Sequence, residues 1–164
     1  MPKPTRLLVL TVLALSSILL IAQPAGATPP SVETFHDEGE FVFADCGTSQ
    51  LTETFTADVR VTTFFNEQGD AVRATTHETS VGVITNSLSG NTYPDSGHFQ
   101  TVTDLTTGEF TVVGLVFLTP VPGLGPVLHG TGKLIFDANG NVTFIAGPHN
   151  VLLGTNPDPC TVLL

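Results

Sequence analysis

The sequence predicts an all-β domain built as an antiparallel meander. Apolar and Thr-rich runs recur along the chain, and short turns that end in Gly separate them. No stretch has the period of an amphipathic helix. We expect seven or eight strands closing into a barrel, because several look longer than the usual length of about five or six residues and closure removes exposed edges. A two-sheet β-sandwich is the alternative that these observations leave open.

The clearest element is a hairpin at Lys133–Ala146, where two apolar runs flank Asp137–Gly140. A type I turn with left-handed Gly last and Asp first suits these four residues. This register brings four apolar side chains onto one face, which favours it over a two-residue turn. The expected cross-strand pairs are Phe136 with Val142 and Leu134 with Phe144.

The same turn pattern recurs at Asn66–Asp70, and the same register is expected there. Its expected pairs are Phe64 with Val72 and Phe65 with Ala71.

Pro94–Gly97 is expected to interrupt one strand, and Gly82 suggests a bulge or bend in another. In chain order, the predicted strands are Glu40–Ala44, Gln50–Phe65, Ala71–Thr85, one interrupted strand over Asn91–Tyr93 and His98–Leu105, Phe110–Leu118, Val127–Phe136, Asn141–Ala146 and a short Val151–Leu153.

The N-terminal residues 1–27 have the pattern of a secretory signal peptide. Lys3 and Arg6 precede the apolar run Leu7–Ala22, and Ala25-Gly26-Ala27 is a small-x-small cleavage pattern. We therefore expect a secreted, extracellular protein that is free of the membrane after cleavage. The predicted organisation is a signal peptide over 1–27, a flexible leader over 28–39 and a single β domain over 40–164.

The chain is strongly acidic, with 15 Asp and Glu residues against 5 Lys and Arg residues and a formal net charge of −10. Only Arg60, Arg73 and Lys133 of the basic residues lie beyond the predicted signal peptide. This balance argues against binding to nucleic acid or to an anionic membrane surface.

Cys46 and Cys160 are the only two cysteines. In an exported chain, a single disulfide between them is the economical interpretation, and it would tie the first strand region to the C-terminus. The alternative is two free thiols, of which one could be catalytic.

Two histidines at the ends of the last hairpin are candidate site residues. His129 precedes the hairpin and His149 follows it, so the two could meet at one end of the sheet as an acid–base or metal pair. The simpler interpretation is a pair of polar residues at strand ends.

Two further candidates come from the middle of the chain. His77 lies within a strand beside Glu78, so one of the two side chains should face the interior. Leu124 lies in the Gly- and Pro-rich segment Thr119–Pro126, which we expect to be a loop. Such a loop either packs on the end of a barrel or gates a cavity.

No catalytic, nucleotide-binding or zinc-binding motif occurs in the sequence. Asp137–Asn141 resembles the start of a calcium loop but lacks its distal acidic ligands. We therefore expect no metal and no cofactor, and the sequence leaves open whether the protein is an enzyme.

The whole chain beyond the predicted signal peptide resembles a family of proteins, most of all in its C-terminal third. Gly132–Asp137, Ala146–His149, the Phe64-Phe65 pair before its turn and a Cys near the end are similar to the pattern of a family of small secreted actinobacterial proteins. The resemblance implies export and a β fold. It implies no activity.

Three functions fit these expectations. The first is a secreted barrel that binds a small apolar molecule among its phenylalanines. The second is a barrel-type enzyme in which His77 or Glu78 meets His129 and His149. The third is a structural or interaction protein whose interior is filled with side chains.

Overall fold

A computed structural model describes residues 28–149 and 158–163 of the chain. The predicted signal peptide over 1–27 and the predicted strand Val151–Leu153 lie outside these residues. Within the described ranges, no helix is both long enough and apolar enough to cross a membrane.

One antiparallel sheet contains every strand that the structure describes. Its seven strands lie side by side in sequence order, so each pairs only with its neighbours in the chain. A short helix, α1 (Pro159–Val162), follows near the C-terminus. The strands are β1 (Ser31–Asp45), β2 (Gln50–Phe65), β3 (Ala71–Asn86), β4 (Thr92–Asp104), β5 (Phe110–Val121), β6 (Gly125–Phe136) and β7 (Val142–Ala146).

The predicted barrel is wrong, and so is the two-sheet sandwich, because the single sheet stays open with β1 and β7 as its edges. Closure would require β1 and β7 to pair along matching lengths. β1 has 15 residues and β7 only 5, so most of β1 would remain without a partner. β1 itself begins at Ser31, so residues 31–39, for which the sequence predicts a flexible leader, pair with β2.

Four turns between strands share one local design. Each begins with Asn or Asp, whose side-chain oxygen accepts backbone N–H groups within the turn, and each ends with Gly at positive φ. At Asp137, hydrogen bonds from the side-chain amide of Asn141 foremost, and then from its backbone N–H, hold the pKa of the carboxyl below its usual range. The four turns run from Asn66 to Gly69, Asn86 to Gly90, Asp104 to Gly108 and Asp137 to Gly140.

The predicted register is confirmed next to two of these turns and is wrong one step further along the strands. Phe136 lies opposite Val142, as expected, but a bulge follows and Leu134 then pairs with Ile145 instead of Phe144. The hairpin between β2 and β3 behaves in the same way. There Phe65 pairs with Ala71 as expected, and Phe64 pairs with Arg73 instead of Val72.

One segment that was expected to break a strand lies inside it, and one expected loop is shorter than predicted. Pro94 belongs to β4, which pairs with β5 only from His98 onward. A proline without a ladder hydrogen bond is tolerated on such an unpaired stretch. The expected loop Thr119–Pro126 is a tight hairpin tip between β5 and β6, closed by a 3.0 Å hydrogen bond from the Leu124 N–H to the Val121 carbonyl.

The buried core lies at one end of the sheet, where β2 begins and β3 ends. The C-terminal segment completes it, since Leu163 is fully buried there and its carbonyl accepts a 2.8 Å hydrogen bond from the Asn86 amide. The cluster contains Leu51, Ile84, Tyr93, Val121, Val127, Leu128 and Leu163.

A disulfide between Cys46 and Cys160 holds the C-terminal segment against this end of the sheet. The two Cα atoms are 5.5 Å apart, and 114 residues separate the cysteines in sequence. The prediction of a single disulfide is confirmed. It supplies the covalent contact between the two ends of the domain that a closed sheet would otherwise make through hydrogen bonds.

Candidate functional site

The two faces of the sheet differ in chemistry near its centre. We call the face that carries Glu53, Phe55, Gly82 and Asp95 the inner face, and the opposite one the outer face. Residues from five adjacent strands, β1 to β5, line a single pocket of about 260 Å³ on the inner face, so the sheet is curved around it. We call it the central pocket.

Aromatic side chains make most of the wall of the central pocket, and carboxyl groups lie among them. Such a mixture of apolar walls and a few convergent polar groups is typical of small-molecule sites. The phenylalanines are Phe41, Phe43, Phe55, Phe99 and Phe117, and the acidic residues are Glu53, Glu78 and Asp95.

Glycines on neighbouring strands make room for these rings. A Cβ at Gly39 would lie 3.1 Å from the ring of Phe55, and one at Gly130 would lie 2.8 Å from the ring of Phe117. Each phenylalanine therefore covers the bare backbone of a glycine on the next strand. This pairing of an aromatic ring with a cross-strand glycine is typical of strongly curved sheets.

Glu53 projects from β2 into the floor of the central pocket. Its neighbours on the same face of β2 are apolar, and only 8% of its surface is exposed. Its carboxyl forms no hydrogen bond or ion pair with any residue that the structure describes. Burial, and secondarily the negative charge of Asp95, raise the pKa of Glu53 to about 7.

Gly82 on β3 separates Glu53 from Asp95. A Cβ at this position would lie 2.6 Å from Oε1 of Glu53. Asp95 on β4 lies directly opposite Gly82 in the ladder. Because Gly82 has no side chain, the two carboxyl groups face each other across β3.

Asp95 is fixed in place by hydrogen bonds. The hydroxyl of Thr119 donates to its Oδ1 at 2.6 Å, and the N–H groups of Ser96 and Leu118 also donate to the carboxylate. Burial raises the pKa of Asp95, while the bond from Thr119 foremost and the two backbone bonds oppose the rise. Asp95 is therefore the better stabilised anion of the pair.

An irregularity in β5 brings these donors to Asp95. The ladder between β4 and β5 ends at His98 and Leu115, and β5 bulges between Leu115 and Phe117. Beyond the bulge, the backbone of β5 no longer pairs with β4, so the N–H of Leu118 is available for the carboxylate. Bulges that redirect a strand in this way are common beside functional sites.

On the inner face, the residues that the structure describes include acidic side chains but no Lys or Arg. Strand alternation puts Arg60, Arg73 and Lys133 on the outer face, and these are the only Lys and Arg among the residues that the structure describes. Glu78 adds a third carboxyl to the pocket, and burial, with a smaller effect of Asp37, raises its pKa. The central pocket is thus apolar, acidic and without a basic counterpart.

The histidines predicted as site residues do not meet in the central pocket. His77 is exposed on the outer face and lines an open recess with His36 and Asp58, while its neighbour Glu78 points into the pocket. His149 is buried opposite Gly130, and neither of its ring nitrogens has a hydrogen-bond partner among the described residues.

His129 and Leu124 also lie apart from the pocket. Because His129 precedes Gly130 on β6, strand alternation directs it to the face opposite that of His149. Leu124 is 68% exposed at the tip of the hairpin between β5 and β6. The structure therefore does not bring the four predicted residues together.

Glu53 belongs to no sequence motif, but its position in the apolar pattern of β2 marks it as unusual. Glu53 occupies the same strand phase as Leu51 and Phe55, so an acidic residue interrupts the apolar face of β2. Asp95 gives no such signal, because it follows Pro94 and precedes Ser96 and Gly97 in what looks like a turn.

Chemically, the central pocket offers an apolar wall, one firmly held carboxylate and one carboxyl that titrates near neutral pH. It can therefore bind an apolar body and make a charged or proton-sharing contact at its floor. No group of three or more His, Cys, Asp or Glu side chains in the described ranges is arranged to hold a metal ion.

Comparisons of the chain with protein-family models, with curated proteins and with solved structures find no match.

Proposed function

We propose that the protein binds a small, largely apolar molecule in the central pocket. Five phenylalanines supply the apolar contact, and their rings come from four different strands, β1, β2, β4 and β5. The pocket of about 260 Å³ lies just below the usual ligand-site range of about 300–1,000 Å³.

The observation that carries this proposal is the carboxyl of Glu53, which lines an aromatic pocket without a partner among the described residues, although only 8% of the surface of Glu53 is exposed. An unpaired polar group lowers stability when it is buried, and the usual compensation is a partner. The apolar cluster around Leu51 and Ile84 shows that this sheet can fill its inner face with aliphatic side chains. An acidic residue beside open space therefore favours a binding role over simple packing.

The test uses N-phenyl-1-naphthylamine, a neutral dye whose fluorescence rises in apolar surroundings. We expect saturable binding to the purified protein, and we expect Phe55→Ala and Phe99→Ala to weaken it about tenfold or more. The matched control is Val81→Ala, since Val81 is 60% exposed on the outer face. Urea unfolding of each variant establishes that it is folded. Absence of saturable binding to the unmodified protein, or equal loss in the Val81 control, would contradict the proposal.

The carboxyl pair favours a second function, acid–base catalysis. A carboxylic acid that titrates near neutral pH beside a second carboxylate can donate a proton while its partner stabilises positive charge. Chromogenic nitrophenyl esters and glycosides offer a direct assay. Turnover that is lost in Glu53→Gln would support catalysis, and full recovery of unchanged substrate from the whole panel would contradict it.

We also infer that the protein acts outside the cell, as the signal-peptide pattern of residues 1–27 and the resemblance to secreted proteins indicate. The disulfide between Cys46 and Cys160 supports this, because structural disulfides persist mainly in oxidising compartments. Mass spectrometry of material from the culture medium tests it. We expect a mature chain that begins at Thr28, and retention of residues 1–27 would contradict cleavage.

A further inference from the structure

We propose that the ligand of the central pocket carries a positively charged amine, and that this amine lies between Glu53 and Asp95. The inference rests on the proposed binding function and adds the chemical class of the ligand. The pocket would thus select an organic cation with an apolar body.

The geometry of the carboxyl pair favours one cationic group between the two side chains. Glu53 leans over Gly82 from one side, and Asp95 lies opposite Gly82 on the other. Both carboxyl groups line the same pocket, so one cationic group can contact both. Three donors from the protein already hold Asp95, whereas Glu53, with 8% of its surface exposed, has no partner among the described residues. A donor from the ligand would supply the contact that Glu53 lacks.

The distribution of charged side chains over the two faces also favours a cationic ligand. Within the described residues, each Lys and Arg lies on the outer face, and two of them already contact aromatic rings there. The guanidinium of Arg73 lies 4.1 Å from the centre of the Phe64 ring, and the ammonium of Lys133 lies 5.8 Å from that of Phe144. Among the described residues, no Lys or Arg side chain is therefore positioned to neutralise the acidic floor of the pocket, and a cationic ligand would supply the positive charge. An anionic ligand would meet three carboxyl groups.

The side chains that line the pocket favour an organic cation over a metal ion. Metal sites for hard cations need several oxygen ligands, and no group of three or more suitable side chains is assembled in the described part of the chain. The remaining wall consists largely of phenylalanine rings, whose faces attract organic ammonium groups. A ligand with an amine on an aromatic or aliphatic body can contact the rings through its body and the carboxyl pair through its ammonium group.

The experiment compares three probes in which a phenyl ring carries a four-carbon chain that ends in a different polar group; in the carboxylate, the fourth carbon is that of the carboxyl group. 4-Phenylbutylamine is cationic, 4-phenylbutanol is neutral and 4-phenylbutyrate is anionic, and each is titrated against protein loaded with N-phenyl-1-naphthylamine. We expect the amine to displace the dye at a concentration about tenfold lower than the alcohol does, and the carboxylate to be the weakest. Amine binding should strengthen from about pH 6 to about pH 8 as Glu53 ionises, while alcohol binding should not.

Two isosteric variants test the residues. Glu53→Gln and Asp95→Asn each remove a negative charge while keeping the shape of the side chain, and each should reduce the advantage of the amine over the alcohol to within about threefold. The control is Glu109→Gln, because Glu109 is exposed in a turn remote from the pocket and its neutralisation changes the net charge equally. It should leave the advantage intact.

The possible outcomes separate the two proposals. An amine advantage that disappears in Glu53→Gln and Asp95→Asn and persists in Glu109→Gln supports the inference. If the alcohol binds as tightly as the amine, or if the advantage survives in both pocket variants, the inference is overturned while the binding function stands. If neither the dye nor any probe binds, the binding function itself is overturned.

Discussion

Oε1 of Glu53 lies 2.6 Å from the point at which Gly82 would carry a Cβ, so the carboxyl of Glu53 occupies the space that any other residue at position 82 would fill. Gly82 is not at positive φ, and no register shift occurs there, although the sequence suggested a bulge or bend at this glycine. Its role is to leave room for an acidic side chain from the neighbouring strand.

We expect Gly82→Ala to displace the Glu53 carboxyl from the floor of the pocket toward solvent. The displaced carboxyl would be better hydrated, so the pKa of Glu53 should fall toward its ordinary value. Stability should change by less than about 1 kcal/mol, since the end of a flexible side chain can move aside. A titration of the side-chain carboxyl by NMR measures the pKa, and an unchanged value near 7 would show that the carboxyl has not moved.

The raised pKa of Glu53 predicts that the folded state weakens as pH rises. Its pKa is about 7 in the folded protein against an ordinary value of 4.5 for a glutamate, so between these pH values the folded state holds the proton more tightly than the unfolded chain does. This contribution is present below about pH 4.5 and is lost as pH rises through about 7.

Glu53→Gln should remove this dependence. We expect the variant to unfold at higher urea than the unmodified protein at about pH 8, with a gain of about 1–3 kcal/mol, and to match it near pH 5. Asp104 and Asp137, whose pKa values are lowered, act in the opposite direction at more acidic pH and are common to both proteins. A difference between the two proteins that does not vary with pH would contradict the burial of an ionisable Glu53.

The hydroxyl of Thr119 should contribute to the free energy of unfolding and to the pKa of Asp95, although the side chain is small. Thr119 is 1% exposed, and its hydroxyl donates a 2.6 Å hydrogen bond to Oδ1 of Asp95. Thr119→Val keeps the shape but leaves the carboxylate one donor short, so we expect a loss of about 1–3 kcal/mol in the free energy of unfolding and a further rise in the pKa of Asp95. Thr119→Ser, which keeps the donor, serves as the control and should leave the pKa of Asp95 unchanged.

The disulfide should account for a large share of the stability. Replacing both Cys46 and Cys160 with Ala frees the segment that carries Leu163 and relaxes a constraint on the unfolded chain. We expect a loss of about 2–5 kcal/mol, measured by urea unfolding. If the variant is as stable as the parent, the C-terminal segment is held by packing and by its hydrogen bond to Asn86 alone.

Several elements could be predicted from local chemistry. An Asx residue first and a glycine last specify a turn through their own hydrogen bonds and backbone freedom, which is why the pairs Phe136–Val142 and Phe65–Ala71 are confirmed. The next pair along each strand was wrong because the bulges beyond these turns depend on how the neighbouring strands twist. The disulfide followed from there being only two cysteines.

The site was predictable only in part. Glu53 could have been found from its place among apolar residues on one face of β2, and the placement of His77 and Glu78 on opposite faces follows from strand alternation. Asp95, Thr119 and the bulge in β5 could not have been found, since they meet through contacts between strands that are far apart in sequence. The interior position of Asp95 also depends on β4 running straight through Pro94.

By itself, the sequence determined that this chain forms strands, where most of them turn and which two cysteines join, because these properties arise from neighbouring residues or from simple counting. Only the tertiary structure decided that the sheet stays open and that two acidic residues meet over a glycine in an aromatic pocket. Sheet closure depends on curvature and on the lengths of edge strands summed over the whole molecule. Burial of a carboxyl depends on which side chains the curved sheet brings to the same place.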